Sequence, residues 1–131
     1  MPGNCALNLR LHSGVPIVDV LGSWEPAVME ALSEMISALA NAGHYDIVVN
    51  VQRAALDGIS ALQSLSRTVQ AIRSHCGHLD VVGTVEQIDE LIRQHLMTLF
   101  RLAPTEECAI GRIKRIPVLT SGLRGTARPL L

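Results

Sequence analysis

The chain has 131 residues, 48% hydrophobic and 18% charged, with a formal net charge of -1, which fits one ordered domain and excludes a disordered or fibrous chain. Trp24, Tyr45 and Phe100 are the only Trp, Tyr or Phe residues, and all twelve acidic side chains lie at or before Glu107. A single-strand stacking platform is therefore missing and the acidic body repels phosphate backbones, so nucleic acid is not an expected partner.

In chain order, Leu7, Leu9 and Leu11 alternate, Ser13-Gly14 supplies a turn, and Val15, Ile17 and Val18-Asp19-Val20 resume the alternation, which predicts a hairpin. Pro26 sits where a first helical turn tolerates it, with Glu25 beside it. Val28, Ala31, Leu32, Met35, Ile36 and Leu39 then recur at helical spacing until Gly43. Tyr45 to Val51 is short, β-branched and nearly continuous in apolar residues, which predicts a central strand buried on both faces. A helix is expected from Ile59 through Leu62, Leu65, Val69, Ile72 and Cys76, with Asp57 as its cap, and Gly77 ends it. Leu79 to Val82 reads as a strand. Thr84 and Gln87 have the spacing of a capping box opening a third helix through Ile88, Leu91 and Ile92. Leu99 to Leu102 reads as a short last strand, and Thr105, followed by Glu106 and Glu107, caps a terminal helix.

The order is ββαβαβαβα, an α/β fold in which helices act as crossovers between parallel strands after an N-terminal hairpin. The domain is expected to span residues 1–113. Residues 114–131, which carry Lys114, Arg115, Arg124 and Arg128 among prolines and glycines, are expected to form a basic, flexible tail. No apolar run approaches the roughly 18 residues of a membrane span. No leader-type segment is evident either, so a cytoplasmic protein without membrane insertion is expected. Cys5, Cys76 and Cys108 lack framework spacing and are expected to be free thiols.

Catalytic and cofactor motifs are missing: there is no GxSxG elbow, GxxxxGK loop, GxGxxG or HExxH. Neither enzymatic activity nor a cofactor is expected. His75-Cys76-Gly77-His78 has no second ligand pair at zinc spacing, so no metal is expected; His75 suits a helix terminus and Cys76 is expected to pack inward. Asp89 and Glu90 are adjacent on a helix and cannot flank one substrate; they are expected to pair with Arg93 and Gln94. The remaining concentration of chemistry is RAALDGISAL at 53–62. There Asp57, Gly58 and Ser60 suit either a plain strand-to-helix corner or a site where a phosphorylated hydroxyl changes the surface charge, and local physics does not choose.

Four stretches in this order resemble the STAS domain, the family of the bacterial anti-sigma factor antagonists: IVDVLGSWEPAVMEAL, YDIVVNVQRAALDGISAL, GHLDVVGTVEQIDELI and FRLAPTEECAI. The resemblance runs from about Leu7 to Ile113. It implies a mixed sheet packed against about four helices, and a non-enzymatic, signalling protein-binding module whose partner is an anti-sigma factor of the serine kinase type. Phosphorylation of a serine or threonine in the family's Asp-Ser-x-Gly-Leu loop weakens that binding. Asp57 matches the loop's aspartate, but Gly58 then occupies the acceptor position, Ser60 that of the loop glycine and Ala61 that of the leucine, so the switch hydroxyl is absent. Asn50 stands where the family often carries an aspartate.

The resemblance thus implies a partner surface formed by Asp57, Gly58, Ile59, Ser60, Gln63 and Arg67, with Ser60 and Ser64 as substitute phosphoacceptors. A Gly58→Asp change is expected to weaken partner binding with the fold intact. STAS-like domains also dock onto transporter ATPases, including those that move lipids, or sense small molecules, and both remain alternatives. The apolar first hairpin leaves an edge that a second chain could cover, making a homodimer a further expectation.

Overall fold

A computed structural model describes residues 7–122, with side chains described through Lys114. Strands β1 (Leu7–His12) and β2 (Val15–Val20) form the hairpin. Ser13 and Gly14 both have positive φ, 56° and 82°, the backbone a two-residue hairpin turn requires. Helix α1 (Pro26–Asn41) leads to β3 (Asp46–Asn50), a 3-10 segment (Ile59–Leu65) runs into α2 (Ser66–Arg73), and β4 (His78–Val82) precedes α3 (Val85–Arg93). A short 3-10 turn, β5 (Arg101–Ala103) and α4 (Glu106–Gly122) complete the order.

The five strands lie in sequence order across one sheet, with β1 antiparallel to β2 and every later neighbour parallel. Strand periodicity assigns the two faces. Val18, Val20, Ile47, Val49, Leu79 and Val81 turn to the layer of α1, α2 and α3, where Leu32, Ile36, Leu62, Leu65, Val69, Ile72 and Leu91 complete the larger core. Val15, Ile17, Val48, Val82 and Ala103 turn the other way and pack against Ala109, Ile110 and Ile113 of α4. β3 is central and buried on both faces, as its apolar run predicts.

The Thr84–Gln87 capping box forms in both directions, the Gln87 amide N–H donating to Thr84 Oγ1 at 3.2 Å and the Thr84 N–H to Gln87 Oε1 at 2.9 Å. Thr105 accepts from the Cys108 N–H at 3.1 Å and so caps α4 as expected. At the end of α1, the His44 N–H reaches back to the Leu39 carbonyl at 2.9 Å, the Schellman closure that Gly43 permits. Glu90 pairs with Arg93 and accepts from Gln94.

Several expectations fail locally. The element after Gly58 is not an α-helix from its start: seven residues are 3-10 before α2 begins at Ser66. Asp57 does not cap it; the cap position belongs to Gly58, and no side chain caps that end. The last strand lies at Arg101–Ala103, because Leu99 terminates the preceding 3-10 turn. Cys76 is exposed rather than packed inward, since its own φ of 62° turns the chain out of α2. His75 stacks on Tyr45 with ring centroids 4.3 Å apart. Helix α4 continues past residue 113 to Gly122; residues 123–131 of the expected tail, and Cys5, lie outside the described residues. No helix among the described residues is long and apolar enough to cross a membrane.

Candidate functional site

Two polar sites lie at the carboxyl end of the sheet, on opposite faces. On the α4 face, Arg10 of β1 pairs with Asp19 of β2, its Nε donating at 2.7 Å and its Nη2 at 3.0 Å, and the same guanidinium pairs with Glu106 in the first turn of α4. Asn50, the last residue of β3, donates from Nδ2 to Glu106 at 2.6 Å and accepts from the Gln52 N–H at 2.9 Å. The Arg10 hydrogen bond and charge, helped by Asn50, hold the Glu106 carboxyl down at about 2, and the hydrogen bonds to Asp19 and then Glu106 raise the Arg10 pKa. Farther along this face, Asp80 is fully buried on β4. Burial pushes its carboxyl up, against the pull of Arg101, whose Nε donates at 2.8 Å, and of Arg112. The Arg10, Asp19, Asn50 and Glu106 groups partner one another and join β1, β2, β3 and α4, whereas Asp80, Arg101 and Arg112 join β4, β5 and α4 and leave Asp80 Oδ2 and Arg101 Nη2 buried without a hydrogen bond among the described residues.

The second site is the 51–60 loop on the helix-layer face. Its backbone is held from three sides. Residue 54 makes a parallel bridge with Gly22 just past β2: the Gly22 N–H donates to the Arg53 carbonyl at 3.3 Å and the Ala55 N–H to the Gly22 carbonyl at 2.9 Å. Buried Gln87 of α3 donates from Nε2 to the carbonyls of Val51 at 2.7 Å and Ala54 at 2.9 Å. The Trp24 indole N–H donates to the Ala55 carbonyl at 2.6 Å. From beneath, Ile59, Leu62 and Leu65 anchor the 3-10 segment in the larger core.

On this base Asp57, Gly58 and Ser60 are exposed. They line a shallow cleft with Leu56, itself 45% exposed, and with Glu90 and Gln94 of α3. The side chains of Asp57 and Ser60 make no hydrogen bond to any described residue. Gly58 has φ 89°, and a Cβ there would stand 3.4 Å from Trp24 Cβ and 3.5 Å from the indole Cδ1, within ordinary contact. That backbone disfavours an L-residue by roughly 1–2 kcal/mol, so Gly58→Asp lowers stability as well as adding a charge.

The other site residues named from sequence separate. Ile59 is 1% exposed and anchors in the larger core beneath the cleft that it helps to line. Gln63 and Arg67 are exposed along the same segment but outside the cleft, and Ser64 lines a different groove, beside Trp24 and Met29. Among the described residues no three His, Cys, Asp or Glu side chains are grouped to hold a metal ion. Gln87 and Trp24 are the residues that sequence reasoning missed. The capping box announces the first but not its second set of bonds, and nothing local announces the indole's reach across the loop.

No family model and no curated protein sequence matches the chain. Solved structures do. An anti-sigma factor antagonist from Mycobacterium paratuberculosis aligns with TM-score 0.69 at 22% identity, over 82% of this chain and 92% of that one. The unphosphorylated form of the anti-sigma factor antagonist SpoIIAA aligns with TM-score 0.64 at 16% identity, over 83% and 98%. The phosphorylated form of the Bacillus cell fate determinant SpoIIAA aligns with TM-score 0.56 at 17% identity, over 82% and 99%. The chain therefore has the STAS fold of the anti-sigma factor antagonists across most of its length.

Proposed function

We propose that the protein is a non-enzymatic regulatory module that binds an anti-sigma factor of the kinase type through the exposed part of the 53–62 loop, centred on Asp57, Gly58 and Ser60 and continuing to Gln63 and Arg67. The observation that carries this reading is the contrast within the loop. Its backbone is hydrogen-bonded to Gly22, Trp24 and Gln87 while the side chains of Asp57 and Ser60 have no partner among the described residues, an arrangement that offers a partner a preorganised surface at little entropic cost. The fold shared with anti-sigma factor antagonists supports the choice of partner.

In this reading the surface stays unmodified at the usual position, because Gly58 has no hydroxyl. Ser60 is the exposed hydroxyl nearest to it in sequence. Ser60→Asp at an ordinary helical position replaces Gly58→Asp as the probe. Wild-type and Ser60→Asp chains serve as baits in a lysate of the producing organism, with partners identified by mass spectrometry. Recovery of a kinase-type anti-sigma factor by wild type, reduced at least about tenfold for the variant, is the expected result. Equal recovery by both baits, or recovery of a transporter ATPase instead, contradicts the reading.

A further inference from the structure

Beside the loop, and distinct from its cleft, a groove runs between α1 and the 3-10 segment. Trp24, Pro26, Met29, Ala61 and Ser64 line it together with Glu30. Its floor is apolar: Met29 is buried, and half-buried Trp24 and Ala61 pack on the larger core. Ser33 Oγ lies 3.0 Å from Thr68 Oγ1 and closes one end.

The charge around it is one-sided. No Lys or Arg occurs between Arg10 and Arg53, so the α1 wall carries Glu30 in the groove, Glu34 one turn on and Glu25 at the helix start, all exposed, with no base on the same element. On the opposite wall Arg67 follows Ser64 by three residues and makes no ion pair among the described residues. An acidic apolar groove of this kind repels anionic lipid and nucleic acid. It favours a segment with apolar anchors on one side and cations on the other.

We propose that this groove docks a basic amphipathic segment of a protein partner, its apolar side chains on Met29, Ala61 and the Trp24 ring and its Lys or Arg residues over Glu30 and Glu34. The segment's polarity follows from the walls: cations lie toward α1 and away from Arg67. The groove reading stands on its own geometry, and its test does not require the partner assigned to the loop.

The test is selection of phage-displayed random dodecapeptides on the full-length chain, followed by titration of each enriched peptide against Trp24 emission, the sole tryptophan. Glu30→Lys reverses the wall and Ser64→Phe fills the groove without adding a second tryptophan; both positions are exposed, and thermal melts check that both variants fold. Enriched peptides pairing Leu, Ile, Phe or Met with an excess of Lys and Arg, and binding both variants at least about tenfold more weakly, are expected. Failure to enrich any peptide, enrichment without a basic excess, or undiminished binding to either folded variant overturns the proposal.

Discussion

The two polar sites at the carboxyl end of the sheet contain similar residues and use them in opposite ways. In the Arg10–Asp19–Asn50–Glu106 network the polar groups of three strands and a helix are paired side chain to side chain. In the 51–60 loop the hydrogen bonds go to the backbone, and the side chains that the residue types single out, Asp57 and Ser60, are left over. A charged side chain with its partners in place explains structure; one held out from a fixed backbone without partners is available for recognition.

The comparison is broken most severely from below the loop. Leu62 is fully buried, and Leu62→Ala is expected to cost about 2–5 kcal/mol in urea unfolding, from lost transfer free energy and the cavity left behind. Gln87→Leu is next. It leaves the Ala54 carbonyl without its donor, leaves the Val51 carbonyl with the Ala54 N–H alone, and removes half of the capping box, an expected loss of about 2–3 kcal/mol. Amide exchange across 51–58 should accelerate while β1 and β2 keep their protection.

On the network side, Asn50→Asp replaces the amide donating to Glu106 by a second carboxylate. A loss of about 1–3 kcal/mol at neutral pH is expected, and because the added group's pKa is raised, the loss shrinks as acid protonates the pair. Wild type has the opposite dependence at Glu106. Its folded pKa, about 2 against the ordinary glutamate value of 4.5, gives stability that is present above the unfolded value and is lost as pH falls from there through 2. Glu106→Gln removes that acid limb of the stability curve. Asp80, raised by burial, acts with the reverse sign in both proteins and therefore cancels in the difference between them. Asp57→Lys has the smallest expected effect on stability, within about 0.5 kcal/mol, because Asp57 is exposed and unpaired.

The same contrast explains what was legible in the sequence. The order of elements and the two-sided burial of β3 follow from apolar periodicity, and the caps at Thr84 and Thr105 from local spacing. The expected Asp57 cap failed because a left-handed Gly58 intervenes and starts a 3-10 segment. Cys76 was misplaced because its own φ reverses the chain. The bonds that build the two sites span far greater separations: Trp24 to Ala55, Gln87 to Val51, Arg10 to Glu106. Such pairs exist only once the sheet has brought β1, β2, β3 and α3 together, and no window of sequence contains both partners.

The central claim is that recognition resides in the unpaired loop and not in the paired network. Its most direct test is titration calorimetry of wild type, Asp57→Lys and Glu106→Gln with the anti-sigma factor recovered by pull-down, under conditions where all three are folded. The account predicts at least about tenfold weaker binding for Asp57→Lys and unchanged binding for Glu106→Gln. Undiminished binding by Asp57→Lys, or loss confined to Glu106→Gln, would contradict it.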